Sequence, residues 1–204
     1  QHMIKVVLAS ESPRRAYLFQ QIGIDFTTHP SGVDETLDEI TAPGTLANKL
    51  AEMKADAVAE RYSESLVIAA DTIVAIKDHI LGKPKNEGDA CKMLTLLSGK
   101  SHHVFTGVCV HHTDAESNIL SSLKFTERTR VSFSELSRRE IEHYIKSGSP
   151  FDKAGSYGIQ DDLGSLFVEK IEGDYYNVVG FPLNRFYREL KRKMPDIFQN
   201  LFLN

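Results

Sequence analysis

Tryptophan is absent from the 204 residues, and cysteine occurs only as Cys91 and Cys109. Two cysteines with no neighbour at metal-ligand spacing make neither a zinc site nor a disulfide framework, so both read as buried, reduced thiols. Long apolar runs are missing too: none approaches the roughly 18 residues that a bilayer span requires. The start, Gln1-His2-Met3-Ile4-Lys5, lacks the apolar stretch of a secretory signal. Gln1-His2 ahead of Met3 reads as a cloning remnant, which leaves 3–204 as one domain, and the expected compartment is the cytoplasm. Charge of one sign is scarce. The 24 Lys+Arg and 28 Asp+Glu leave a net −4, which disfavours a nucleic-acid module or a membrane-surface protein, so any anion site must be local. No Gly, four residues, Gly-Lys-Ser/Thr pattern occurs, which disfavours P-loop chemistry. Repeats, low-complexity stretches and Pro/Gly/Ser-rich linkers are likewise missing. A composition of 41% hydrophobic and 25% charged residues excludes disorder, collagen and coiled coil. One compact unit, or one bilobed around a cleft, is the simplest organisation.

Strand and helix patterns alternate along the chain. Ile4 to Ala9 reads as a strand, followed by a helix that starts with Ser12 as N-cap and Pro13 in its first turn and stops at Gly23. A strand is expected over Ile24 to His29 and a long helix from Thr45 to Tyr62. Leu66-Val67-Ile68-Ala69-Ala70 is continuously apolar, as in a strand buried on both faces, and is expected to end on Asp71-Thr72. Ile73 to Ile76 and His79 to Leu81 flank Lys77-Asp78 as a hairpin. A helix over Glu87 to Leu97 precedes two long strands, His102 to His112 and Ile119 to Phe133. Ser137-Arg138-Arg139-Glu140 has the spacing of a capping box. A strand near Leu166 to Ile171 and a helix from Pro182 to Lys193 complete an α/β class with a mixed sheet.

Arg14 and Arg15 stand in the first turn of a helix, where cations oppose the helix dipole at a cost of a few tenths to about 1 kcal/mol. A bound polyphosphate would resolve that conflict, since the dipole, the free N–H groups and the two guanidinium forks all favour an anion. Pairing with surface carboxylates is the alternative. Asp71 at a strand end has the position of a catalytic carboxylate in an open α/β sheet, although turn and N-cap roles are as common there. Glu35 and Asp152 could join it, and such hard oxygens suit Mg²⁺ or Mn²⁺. Lys83 in Gly82-Lys83-Pro84 and Lys54 on the long helix offer point charges. His103 and His111 share a strand face, but eight strand residues span about 26 Å, so exposed histidines are favoured over a metal pair. Tyr175, Tyr176 and Phe181 read as core or interface residues. The apolar tail, Ile197 to Leu203, could form a homodimer contact or pack on the body.

The segments Leu8-Ala9-Ser10-x-Ser12-Pro13-Arg14-Arg15, Ala70-Asp71-Thr72, Gly82-Lys83-Pro84, Leu97-Ser98-Gly99, Asp152 to Gln160 and Asn177 to Leu183 occur in order. Together they resemble the Maf nucleotide pyrophosphatases along nearly the whole chain, from Ile4 to Leu190. The resemblance implies an elongated, two-lobed α/β fold akin to the inosine triphosphate pyrophosphatases, with a mixed sheet, flanking helices and a central cleft. It implies hydrolysis of nucleoside triphosphates to monophosphate and pyrophosphate with a divalent metal. By the family pattern Asp71 is the proton acceptor, and Arg14, Thr72 and Gln160 select the substrate. Ser10, Arg14, Arg15, Lys54 and Lys83 contact phosphate, Glu35 and Asp71 the metal, and Asp152 lines the same cleft. Members acting on 7-methyl-GTP carry a Trp beside the Arg pair and a Gln after the Asp. Thr72 and the absence of Trp therefore point to the dTTP/UTP branch, with modified pyrimidine triphosphates as further candidates. Asp161-Asp162-Leu163 before Gly164 departs from the family pattern, which bears on base selectivity. A non-catalytic nucleotide-binding regulator of cell division is the competing class.

Overall fold

Short apolar runs alternating with amphipathic stretches build seven strands and seven helices among the described residues, 3–36, 41–160 and 162–203 of a computed structural model. In chain order these are β1 (Lys5–Leu8), α1 (Pro13–Gln21), β2 (Phe26–Thr28), α2 (Pro43–Ala59), β3 (Ser65–Ile76), β4 (His79–Leu81), α3 (Glu87–Leu97), β5 (Ser101–Thr113), β6 (Ile119–Phe133), α4 (Arg138–Lys146), β7 (Val168–Glu172), α5 (Tyr175–Val179), α6 (Leu183–Lys193) and α7 (Pro195–Phe202). Three 3₁₀ turns, Ser149–Asp152, Ala154–Ser156 and Asp162–Leu166, lie between α4 and β7. The sheet runs β2-β1-β3-β5-β6-β7, with β4 paired to β3. β1 pairs parallel to β2 and β3, as helical crossovers demand, while β3–β4 and β6–β7 are antiparallel. The mixed α/β sheet flanked by helices is the fold class expected. No helix among the described residues is long and apolar enough to cross a membrane.

Two compact units emerge. The first comprises residues 1–71, 106–127 and 180–204, and the second 72–105 and 128–179. In the first, Val7, Ala9, Val67, Ala69 and Cys109 pack against Ala51, Ala55, Val58 and Ala59 of α2. The small side chains let α2 sit close. At Gly107 its backbone comes so near that a methyl there would lie 2.3 Å from the Ala47 carbonyl carbon. Phe19 of α1 meets Phe181 edge-on at 4.9 Å, and Phe181 meets Phe186 of α6 at 5.3 Å. In the second unit Leu94 and Leu97 of α3, Ile141, Tyr144 and Ile145 of α4, and Val104, Val131 and Phe133 of the strands form one cluster.

Local signals act as anticipated at several ends. The Ser12 hydroxyl accepts from Arg15 N, Gly23 takes a left-handed φ of 73°, and Ser137 and Glu140 close a reciprocal capping box. Three expectations are corrected. β3 does not stop at Asp71 but continues through Thr72 to Ile76, because the apolar run resumes at Ile73 and Lys54 neutralises the buried carboxylate. The strand histidines are not all exposed. His102 is buried with its Nε2 2.6 Å from the Tyr157 hydroxyl, and His111 is buried between Asp56 and Ser122. Tyr175 is an exposed surface residue, whereas Phe181 is core. The tail takes one of the two roles left open for it and packs on α6 as a helix, α7, whose Ile197 and Phe198 are buried, Phe198 lying 4.9 Å from the Tyr187 ring. Both cysteines are free thiols. Cys109 is buried as expected, which pushes its thiol up to about 12, but Cys91, near the N-terminal end of α3, is half-buried and not fully buried.

Candidate active site

Six of the residues singled out from sequence belong to the first unit. β1 delivers the chain to Ser10, whose hydroxyl accepts from Ser12 N at 3.1 Å and from Arg15 Nη1 at 3.1 Å. Ser12 then caps α1, which fixes the direction in which Arg14 and Arg15 leave the helix. The two arginines differ. Arg15 is buried, and its Nε donates to the Gly180 carbonyl at 2.8 Å, tying α1 to the chain that enters α6. Arg14 is half-buried. Burial brings the Arg15 guanidinium down to about 10; the Asp71 carboxylate opposes that shift, Arg14 adds to it and Glu35 opposes it again. Four charges therefore share one field.

α2 supplies the centre of this field. The Lys54 ammonium lies 2.7 Å from Asp71 Oδ1 and 2.8 Å from Glu35 Oε1, with the Lys54 and Asp71 side chains each 11% exposed and Glu35 47%. A carboxylate this buried needs a partner, since leaving it unpaired would cost several kcal/mol, roughly 3–5. Lys54 provides it. Asp71 and Glu35 each bring an oxygen within 2.8 Å of one point. Two hard oxygen donors converging there are of the kind that would hold a small divalent cation. No group of three or more His, Cys, Asp or Glu side chains able to hold a metal occurs among the described residues.

Thr72, Lys83, Asp152 and Gln160 belong to the second unit. Thr72 is half-buried in β3, and Lys83 is exposed in the turn after β4. Gly155 N donates to the Gly82 carbonyl at 3.0 Å, so the turn carrying Lys83 is bonded to the segment that leads to the exposed Gln160. Asp152 is exposed and pairs with Lys153 Nζ at 2.9 Å. Asp161, first of the three residues that break the family pattern, lies outside the described residues, as does the side chain of Asp162.

Two structural partners escaped sequence reasoning. Lys153 is buried, donating also to the Ser149 carbonyl and hydroxyl at 2.6 and 3.2 Å; its place in the quoted Asp152-Lys153 motif was the available signal. The Gly180 carbonyl that receives Arg15 carries no side-chain signal at all.

The family model described as Maf-like protein matches residues 5–193. A dTTP/UTP pyrophosphatase of Bacillus cereus (strain ATCC 10987 / NRS 248) is 48% identical over 97% of this chain and 94% of its own length. Another, from Bacillus anthracis, is 48% identical over 96% of this chain and 98% of the relative. Among solved structures, a HAM1 protein from Coxiella burnetii is similar with a TM-score of 0.44 and 15% identity, covering 80% of this chain and 89% of that one.

Proposed function

The chain belongs to the Maf family, and from that membership and the charge cluster around Lys54 we propose that it is a nucleoside triphosphate pyrophosphatase acting on dTTP and UTP. Modified pyrimidine triphosphates are included in the proposed range. The observation that carries the reading is the buried Asp71 carboxylate held by Lys54 in the field of the Arg14-Arg15 pair. The names of the two relatives support the choice of substrate.

In this reading Asp71 accepts the proton of a water that attacks the α-phosphorus. The new P–O bond forms as the bond from the α-phosphorus to the α,β-bridging oxygen breaks, and pyrophosphate leaves with that electron pair. Lys54, Arg14 and Lys83 set positive charge against the triphosphate, and Ser10 adds a hydroxyl. Arg15, whose Nε and Nη1 serve Gly180 and Ser10, holds that loop in shape and adds its charge to the same field as a phosphate contact. Arg14, Thr72 and Gln160 select the base, and Asp152 is a further residue of the family pattern. A divalent cation, Mg²⁺ or Mn²⁺, held by Asp71 and Glu35 would supply neutralisation of phosphate charge. The substrate source this reading requires is a cytoplasmic nucleotide pool. A regulator that binds without cleaving is not favoured, since both relatives bear an enzyme's name.

Pyrophosphate release from a panel of triphosphates at about 1 mM, the upper end of usual KM values, tests the proposal. Turnover should be highest with dTTP and UTP, and Asp71→Asn should lower it roughly 10²–10⁴-fold, the range for a positioned acid or base. Near wild-type turnover in that variant removes Asp71 from the chemistry. A wild-type protein that cleaves no triphosphate removes the reaction itself.

A further inference from the structure

The Lys54 ammonium stands at the point where the two candidate metal ligands converge. Its Nζ is 2.7 Å from Asp71 Oδ1 and 2.8 Å from Glu35 Oε1. A Mg²⁺ bound to the same oxygens would sit about 2.1 Å from each, so ammonium and metal cannot hold that place together. The two cations of the locus also differ in freedom. Arg15 is clamped through two of its nitrogens to Gly180 and Ser10, whereas Lys54 ends in a compact charge on a four-carbon stem that can be re-aimed.

We propose that Lys54 is an internal counter-cation that keeps the carboxylates of Asp71 and Glu35 from divalent metal until a triphosphate draws the ammonium onto its own oxygens. The inference rests on the reading of this cluster as the triphosphate site and adds an order to it. Metal alone binds weakly because it must displace a paired ammonium. Nucleotide and metal then assist one another, each by the same factor, as linkage requires. Lys54 acts on metal binding as a competitor and on nucleotide binding as a ligand, so removing it moves the two affinities in opposite directions. A residue whose role is only structural would lower both.

The test uses the full chain and two probes separately. Mn²⁺ alone is titrated by electron paramagnetic resonance, and the non-hydrolysable α,β-methylene analogue of dTTP is titrated calorimetrically in EDTA. Lys54→Met and Lys54→Gln are expected to bind Mn²⁺ about tenfold or more tighter than wild type and the analogue about tenfold or more weaker, well inside the usual range of coupling factors. Lys54→Arg keeps the charge and should leave Mn²⁺ binding within about threefold of wild type. Mn²⁺ binding by the two neutral variants that is equal to or weaker than wild type overturns the proposal. Should both neutral variants unfold, the wild-type protein still decides. Nitrogen-15 spectra of its lysine ammonium groups should show one slowly exchanging signal that disappears or shifts at saturating Mg²⁺, and a full set unchanged by Mg²⁺ refutes the competition. Failure of the wild type to cleave any triphosphate would remove the reaction and leave the metal competition standing, so the two failures are distinct.

Discussion

Replacing Gly107 with alanine tests whether the seat of α2 on β5 sets the position of Lys54. A methyl at Gly107 would lie 2.3 Å from the Ala47 carbonyl carbon and 2.4 Å from both its oxygen and the Asn48 nitrogen. Non-bonded carbons settle at about 3.5 Å or more, so the helix backbone must retreat by roughly 1.2 Å. These three nearest atoms are all main chain, and none can rotate away. Retreat is resisted where Asn48 Nδ2 donates to the Phe125 carbonyl at 3.1 Å and to Thr126 Oγ1 at 3.2 Å. It also loosens Ala47, Ala51 and Ala55, which are completely buried. Overpacking of this kind costs about 1–3 kcal/mol, of which the gain in chain stiffness from losing a strand glycine offsets about 0.5–1 kcal/mol. Lys54 follows Ala47 by about two helical turns and lies on the same face. A comparable shift there would lengthen its 2.7 Å bond to Asp71 toward the limit of an ion pair, and misplacement by about 1 Å can cost roughly 10² in rate. Urea unfolding and kcat/KM for dTTP, measured on the same preparation, should both fall. An alanine variant with wild-type stability and wild-type kcat/KM would show that α2 is not seated in this way.

Other substitutions separate the charges of the site. Arg14→Ala should weaken discrimination among nucleobases, measured as the ratio of kcat/KM values for dTTP and dCTP; an unchanged ranking would take selectivity away from Arg14. Arg15→Lys keeps the charge but cannot reach Gly180 and Ser10 together, so chemical unfolding should report a loss of about 1.5–3 kcal/mol, the worth of one charged hydrogen bond. A loss within about 0.5 kcal/mol, the size of an ordinary surface effect, would contradict that geometry. His102 provides a pH signature. Burial holds it down to about 4 in the folded chain, against 6.5 when unfolded. Between those values the unfolded state binds a proton that the folded state refuses. Stability should therefore fall as pH drops from about 6.5 toward 4 and level off below, by about 3 kcal/mol in all. His102→Phe should flatten that limb of the unfolding curve, and an equally steep limb in the variant would assign the titration elsewhere.

Much of the framework was legible because its signals are local. Ser12-Pro13, the Ser137 to Glu140 box and the span of α3 depend on neighbours within one helical turn, and the structure follows them. What escaped depends on partners distant in the chain. Asp71-Thr72 interrupts an apolar run and so resembles a strand end, yet β3 passes through because Lys54, on the preceding helix, supplies the missing charge. Arg15 looked free for a ligand, and its acceptor at Gly180 lies 165 positions away. The tail showed apolar character without a visible start signal, although Pro195 opens α7 in the position where a missing N–H costs nothing. Gly107 was readable in principle, since glycine inside a strand often marks a close backbone approach.

The continuity of β3 has a practical corollary. Asp71 is carried by the interior of a twelve-residue strand, five positions before the strand gives way to the hairpin tip at Lys77-Asp78. Its aim is set by the ladder on which it is threaded, not by the loop beyond. Residues can be grafted into or trimmed from that tip, in nature or by design, and the carboxylate keeps its bearing.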